Sequence, residues 1–261
     1  MIWPQAIPAL LSGGAVGFSL GLIGGGGSIL AVPLLLYVVG VTDAHVAIGT
    51  SALAVALNAF INLLSHWRAG TVRWSCALVF GSAGALGAAA GSSIGKLVAG
   101  ENLLFLFAFV MIAAGIAMLR PRATRGEAQI QITPTIAMRL VLLGVGAGAL
   151  AGFFGIGGGF LVVPGIMLGS GLTILCAIGS SLFAVGVFGL TTAINYALSG
   201  LVDWAIALEF IVGGALGGVL GMKAAIRLSS KKRVLNYIFA SLVFVAAAYM
   251  LLRTGTHLFA A

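Results

Sequence analysis

Two stretches of this chain bring together residues that could bind something: Gly24-Gly25-Gly26-Gly27-Ser28-Ile29-Leu30-Ala31-Val32-Pro33, and Gly155-Ile156-Gly157-Gly158-Gly159-Phe160-Leu161-Val162-Val163-Pro164. Both sit in long apolar surroundings. There, a run of glycines weakens a helix and leaves main-chain N–H and C=O groups without internal partners. Such backbone persists in a bilayer only inside protein or beside a polar cavity, and matched interruptions in two halves of a chain point to a solute-binding site. A helix that starts after Gly27 or Gly159 turns its first N–H groups into the break. Their partial positive charge and the bare glycine backbone suit an anion, and Ser28 can cap the helix or donate a hydroxyl. Pro33 and Pro164 offer alternative helix starts, with extended chain before them. The candidate binding residues are therefore Gly25, Gly26, Gly27 and Ser28, with Gly157, Gly158 and Gly159 from the second copy.

A second repeated element adds hydroxyls. Gly49-Thr50-Ser51 recurs as Gly179-Ser180-Ser181, so Thr50, Ser51, Ser180 and Ser181 join the candidates as neutral donors that import no charge into the membrane. The competing reading is that these hydroxyls bond their own helices. Asn58, Asn62 and Asn195 form a second tier, with interhelical hydrogen bonds as the plainer role. Glu209, a turn or two inside a span, is the one carboxylate to test as a proton carrier. No His/Asp/Cys constellation suggests catalysis. No metal ligand set is present, no cofactor is expected, and Cys76 and Cys176 read as small buried hydrophobes.

The elements that must position these residues are membrane spans. Of 261 residues, 61% are hydrophobic and 7% charged, and the mean hydropathy of +1.21 excludes a soluble domain of this size. The start Met1-Ile2-Trp3-Pro4-Gln5 lacks the basic residues of a cleavable signal, so the N-terminus is expected to be retained. Apolar runs cover about 7–40, broken at the glycines, then 46–65, 74–94 and 103–119. A net charge of +8 sits mostly beside spans, where it orients them, so lipid rather than nucleic acid is the expected partner. Nothing in the sequence fixes an oligomeric state.

From Arg139 the pattern starts again. Gly148 and Gly152 repeat Gly17 and Gly21; Gly200-Leu201-Val202-Asp203-Trp204 repeats Gly70-Thr71-Val72-Arg73-Trp74; Gly214, Gly217 and Gly221 repeat Gly84, Gly87 and Gly91, which read as packing glycines. The offset of about 130 residues is a gene duplication, far longer than a solenoid repeat. The expected division is a first transmembrane repeat at 1–120, a cytoplasmic linker at 121–138, and a second repeat at 139–261. Three loops are basic: Arg68 with Arg73, Arg120 through Arg139, and Arg227 with Lys231-Lys232-Arg233. Placing all three inside requires each glycine-broken region to return to the side it left. The expected fold is therefore an all-α integral membrane protein of two homologous, inverted-topology repeats, each with a glycine-broken helix or re-entrant hairpin plus three spanning helices. A parallel arrangement of four plus four spans is the alternative.

The glycine cluster followed by Ser28-Ile29-Leu30-Ala31-Val32-Pro33, the Gly49-Thr50-Ser51 element, and the second copy Gly155-Ile156-Gly157-Gly158-Gly159-Phe160 with Val163-Pro164 resemble the TauE/SafE family of sulfite exporters, also called toluene sulfonate uptake permeases. The resemblance covers nearly the full length. It implies a multi-pass carrier of the bacterial inner membrane for sulfur-containing oxyanions such as sulfite or organosulfonates, with the family's glycine motifs at Gly24 to Ser28 and Gly155 to Gly159. Family members are commonly drawn with eight spans. The expected activity is export of a small oxyanion by alternating access, because a negative interior already expels anions. The alternatives are an importer of organosulfonates or other small organic anions and, from another class, an anion channel.

Overall fold

The computed structural model describes residues 3–23, 25–119, 132–155, 157, 159–227, 240–241 and 243–253. Gly24, Ile156, Gly158, most of the basic linker and the Lys231-Lys232-Arg233 cluster lie outside the described residues. Helix α1, Trp3–Ile23, stops at the first glycine cluster. The chain then winds tightly through a 3-10 segment, Gly25–Leu30, an α-helical turn, Ala31–Leu34, and a π-helical turn, Leu35–Val39, together called α2. Gly40, at φ 85°, ends it in the left-handed conformation that glycine adopts without strain. The remaining helices are α3 (Ala44–Arg68), α4 (Trp74–Gly95), α5 (Gly100–Leu119), α6 (Pro134–Phe154), α7 (Gly159–Ser170), α8 (Ile174–Ala197), α9 (Trp204–Arg227) and α10 (Val243–Arg253). Asp43 caps α3 by accepting from the N–H groups of His45 and Val46, and Thr133 caps α6 ahead of Pro134 at its first position.

Six of these helices are long and apolar enough to cross a membrane: α1, α3, α4, α6, α8 and α9. The protein is an all-α, multi-pass membrane protein. Leu86, Leu142, Leu168, Leu216 and Leu220 point outward, as hydrocarbon permits. Since lipid is as apolar as the interior, helix association must come from close packing rather than from water exclusion.

That packing is built from glycine. Helix α1 lies along α9, and α4 along α6. A Cβ at Gly13, Gly17 or Gly21 would strike the main chain at Phe210, Gly214 or Gly218; one at Gly144, Gly148 or Gly152 would strike Phe80, Gly84 or Ala88. In both seams the numbers rise together, so each pair runs parallel. The two seams are the same seam with the halves exchanged, because α6 repeats α1 and α9 repeats α4. Helices α3 and α8 cross between them, with Gly49 against Tyr196 and Leu201, Gly189 against Ala52 and Ala56, and Gly186 against Phe60. Their numbers run oppositely, so α3 and α8 are antiparallel. They are also the most enclosed spans, 72% and 67% buried against 33–50% for the other four, and so form the centre of the molecule.

The seam predicts that Gly148→Val costs about 3 kcal/mol or more, since two facing backbones cannot yield, while Gly146→Val, whose Cβ would meet nothing within 4 Å, costs about 0.5 kcal/mol or less. Thermal unfolding of the two variants in detergent measures the difference. Equal stability would show that the seam tolerates a side chain.

Candidate functional site

The first break packs against the helix that follows the second. The 3-10 segment that begins α2 packs on α1, on α7 and on α8, so the first break of one half lies against the short helix that follows the second break of the other. Gly27 lies hard against Ser19 and Leu20 of α1. On the other side, α6 ends at Gly155 (φ 67°) and the chain turns again at Gly157 (φ 61°), both left-handed positions that a side chain would strain. Gly155 rests on Ile48 of α3, and its carbonyl accepts from the Ser51 hydroxyl at 3.1 Å. Gly157 faces Val55 of α3 and Val185 of α8, residues 130 apart that occupy equivalent places in the two halves. The second break thus sits on the α3–α8 crossing, and Ser28 and Ile29 of the first are fully buried.

The hydroxyl elements have a more definite geometry than the sequence disclosed. The N–H of Asp203 donates to Thr50 Oγ1 at 2.9 Å, and the N–H of Arg73 donates to Ser180 Oγ at 2.8 Å. These are the residues just before α9 and α4. Gly49 and Gly179, each preceding its hydroxyl, allow the same connections to pass close by, at Leu201 and Thr71. The Gly-Thr-Ser and Gly-Ser-Ser elements therefore clamp each central helix to the loop of the opposite half. Ser181 donates to the Ile178 carbonyl of its own helix at 2.7 Å, and the one hydrogen of Ser51 is shared between Gly155 O and Ile48 O, the latter at 2.9 Å, which leaves both hydroxyl oxygens free to accept.

The second-tier residues separate. Asn62 donates to the Asn58 carbonyl one turn back on α3, with Asn58 fully buried above Gly214 of α9. Asn195 belongs to a polar knot at the ends of α4 and α8. Its side-chain NH2 donates to Ser92 and Ser93, and its carbonyl oxygens and Ser199 accept from the Lys96 ammonium at 2.7 to 3.1 Å. Neither the clamp nor this knot was visible in the sequence, although the equal 130-residue spacing of Thr50 to Ser180 and Arg73 to Asp203 was the available signal for the clamp. Glu209 is half-buried near the start of α9. A cavity of about 430 Å³ lined by Tyr37, Thr42, Glu101 and Arg253 lies at the far end of α2 from its glycines, and is not part of the break. Among the described residues no His, Cys, Asp and Glu cluster could hold a metal. The arrangement offers neutral donors and helix starts, which can bind a solute.

A family model described as sulfite exporter TauE/SafE matches residues 9–250, a span that contains both breaks and both clamps. This chain belongs to the TauE/SafE family. It is 53% identical over 250 residues to a probable membrane transporter protein of Xylella fastidiosa (strain 9a5c), covering 95% of this chain and 96% of that one. It is also 29% identical to the probable membrane transporter protein YdhB of Bacillus subtilis (strain 168), over 80% of this chain and 85% of that one, and 29% identical to YunE of the same organism, over 86% and 89%. No solved structure matches the chain. As a TauE/SafE member it is a membrane transporter.

The clamps predict that Thr50→Val and Ser180→Ala each lower stability by about 1 kcal/mol, the usual cost of losing a hydroxyl that satisfies a helix-start N–H. The hydroxyl-retaining Thr50→Ser and Ser180→Thr should recover most of it in the same thermal unfolding assay. Loss without recovery would mean that shape, not the hydrogen bond, holds the loops.

Proposed function

We propose that this protein carries a small sulfur-containing oxyanion, sulfite or a close organosulfur relative, out across the bacterial inner membrane by alternating access. The reading rests chiefly on the second glycine break lying on the α3–α8 crossing while the first packs on α7, the helix that follows the second, and on α8. The anion would be held there by main-chain N–H groups of Gly25, Gly26 and Gly27, by Ser28, and by the opposing Gly157, Gly158 and Gly159, with Ser51 and Ser181 beside them. Thr50 and Ser180 act from behind by fixing α3 and α8. Neutral donors suit the task, since a permanent cation in the hydrocarbon would hold an anion too tightly to release it and would itself cost several kcal/mol to bury.

The halves, 1–120 and 139–261 with a cytoplasmic linker at 121–138, are read as inverted repeats. The antiparallel course of the equivalent helices α3 and α8 supports this, because a two-fold axis along the membrane normal would leave equivalent helices parallel. Rocking one half against the other on the glycine seams would then open the breaks to each face in turn. A membrane potential supplies about 2.3 kcal/mol per charge per 100 mV toward expelling an anion, so export needs no further driving ion.

Flux of labelled sulfite in proteoliposomes, compared with sulfate and organosulfonates, tests the reading. Slow, saturable sulfite flux is expected, abolished in a folded Gly26→Leu variant and with a raised half-saturation concentration in Ser51→Ala. Preference for organosulfonates and net uptake would favour an importer, and single-channel currents would favour a channel. Undiminished flux in Gly26→Leu would remove the breaks from the pathway.

A further inference from the structure

The mirror relation between the halves fails along one stripe. On α3, Asn58, Asn62 and His66 follow at intervals of four and share a face that looks toward Gly214 and Gly218 of α9. The equivalent face of α8 carries Phe188, Thr192 and Tyr196, and the Phe188 ring fills the place above Gly84 that the Asn58 amide fills above Gly214. One half thus has an aromatic plug at Phe188 where the other has the Asn58 amide, while further along α8 Thr192 Oγ1 and Tyr196 Oη, like the α3 groups, have no hydrogen-bond partner among the described residues. The α3 residues are 0%, 4% and 8% exposed. The Asn58 amide nitrogen and oxygen and His66 Nε2 have no hydrogen-bond partner among the described residues, a costly arrangement in an apolar interior.

The tautomer of His66 follows from its neighbours. The His66 carbonyl accepts from the Thr71 N–H at 3.2 Å and from the Thr71 hydroxyl at 3.0 Å, and with the hydroxyl hydrogen placed there the 3.0 Å contact between Thr71 Oγ1 and His66 Nδ1 takes Nδ1–H as its donor. Nε2 is then the nitrogen without a hydrogen. Along α3, Ser51 touches the second break, and His66 lies 15 residues further on, about 22 Å at the helical rise of about 1.5 Å per residue. The stripe therefore leads from the breaks to the membrane face that bears Arg68 and Arg73.

We propose that Asn58, Asn62 and His66 form the polar path between the central site and the basic face, and that His66, by taking up a proton at Nε2, admits the oxyanion to that path. The step is one proton from hydronium of the aqueous compartment at the basic face onto imidazole, giving imidazolium and water, and its return to that compartment when the anion has passed. The charged groups at this end are Arg68 of the same helix, Arg73 of the following connection, and Lys223 of α9, which by the α3–α9 register lies one residue past the position opposite His66; the facing stretches of α1 and α8 carry none. Thr71 is a positioning residue that fixes the ring. The assignment rests on the transport reading above, and it gives that transporter a dependence on acidity at one face only.

The test is sulfite flux in oriented proteoliposomes, with the potential clamped and the pH of each compartment varied separately. The oxyanion's own protonation is common to all variants, so the difference between variants belongs to the protein. Wild type should accelerate on acidification of the basic-face compartment, His66→Gln should lose that acceleration, and Thr71→Val should retain it with the midpoint moved to lower pH, because the Nδ1–H bond it removes favours the imidazolium. Asn58→Leu should leave thermal stability unchanged or raised while flux falls about tenfold, the rate effect of one lost hydrogen bond worth about 1.4 kcal/mol. Identical pH profiles in wild type and His66→Gln, or full flux in Asn58→Leu, would overturn the proposal while sparing the transport reading. Absence of saturable flux in the wild type would overturn both.

Discussion

A main-chain amide in hydrocarbon must find a partner, and this constraint organises the whole molecule. Long helices meet it internally. Among the described residues the chain departs from them at the two glycine clusters: the first packs on α1, α7 and α8, and the second lies on the crossing of α3 and α8. In the proposed mechanism the solute supplies the missing partner, so the cost of the interruption is offset only while the anion is held.

Glycine serves two physical ends here, and the structure separates them. In the seams, Gly17 against Gly214 and Gly148 against Gly84 bring backbones into contact where hydrophobic burial offers no net gain. At Gly155 and Gly157, left-handed φ values let the chain turn out of α6 and into α7 within a few residues. The seams run parallel, with backbone against backbone at each glycine. The Thr50 and Ser180 clamps, by contrast, bind each central helix to the other half and keep the crossing intact.

Much of this was legible in the sequence because spans announce themselves by length and hydropathy, and because the duplication writes every important element twice. The breaks after Ile23 and at Gly155, the packing role of Gly84 and Gly214, and the extents of α3 and α4 could all be read from residue types alone. What could not be read was partnership. Thr50 meets Asp203 and Ser180 meets Arg73 across more than a hundred residues, and α1 chooses α9 over any helix of its own half, relations fixed by tertiary packing rather than by local pattern. Asn195 looked like Asn58 in sequence, yet one is enclosed by Lys96 and serines at a helix end while the other faces glycine in the interior. The His66 tautomer needed the position of Thr71, which only the fold supplies.

The central claim is that an oxyanion is held between the two breaks, and locating the anion tests it most directly. Selenite has the shape and charge of sulfite and carries a strong anomalous scatterer. In crystals of the full chain soaked with selenite, the account predicts a selenium peak between residues 25–28 and 157–159, within hydrogen-bonding distance of main-chain N–H groups from both halves. Selenium found only at surface arginines and lysines, with the breaks packed shut against their neighbours, would contradict it.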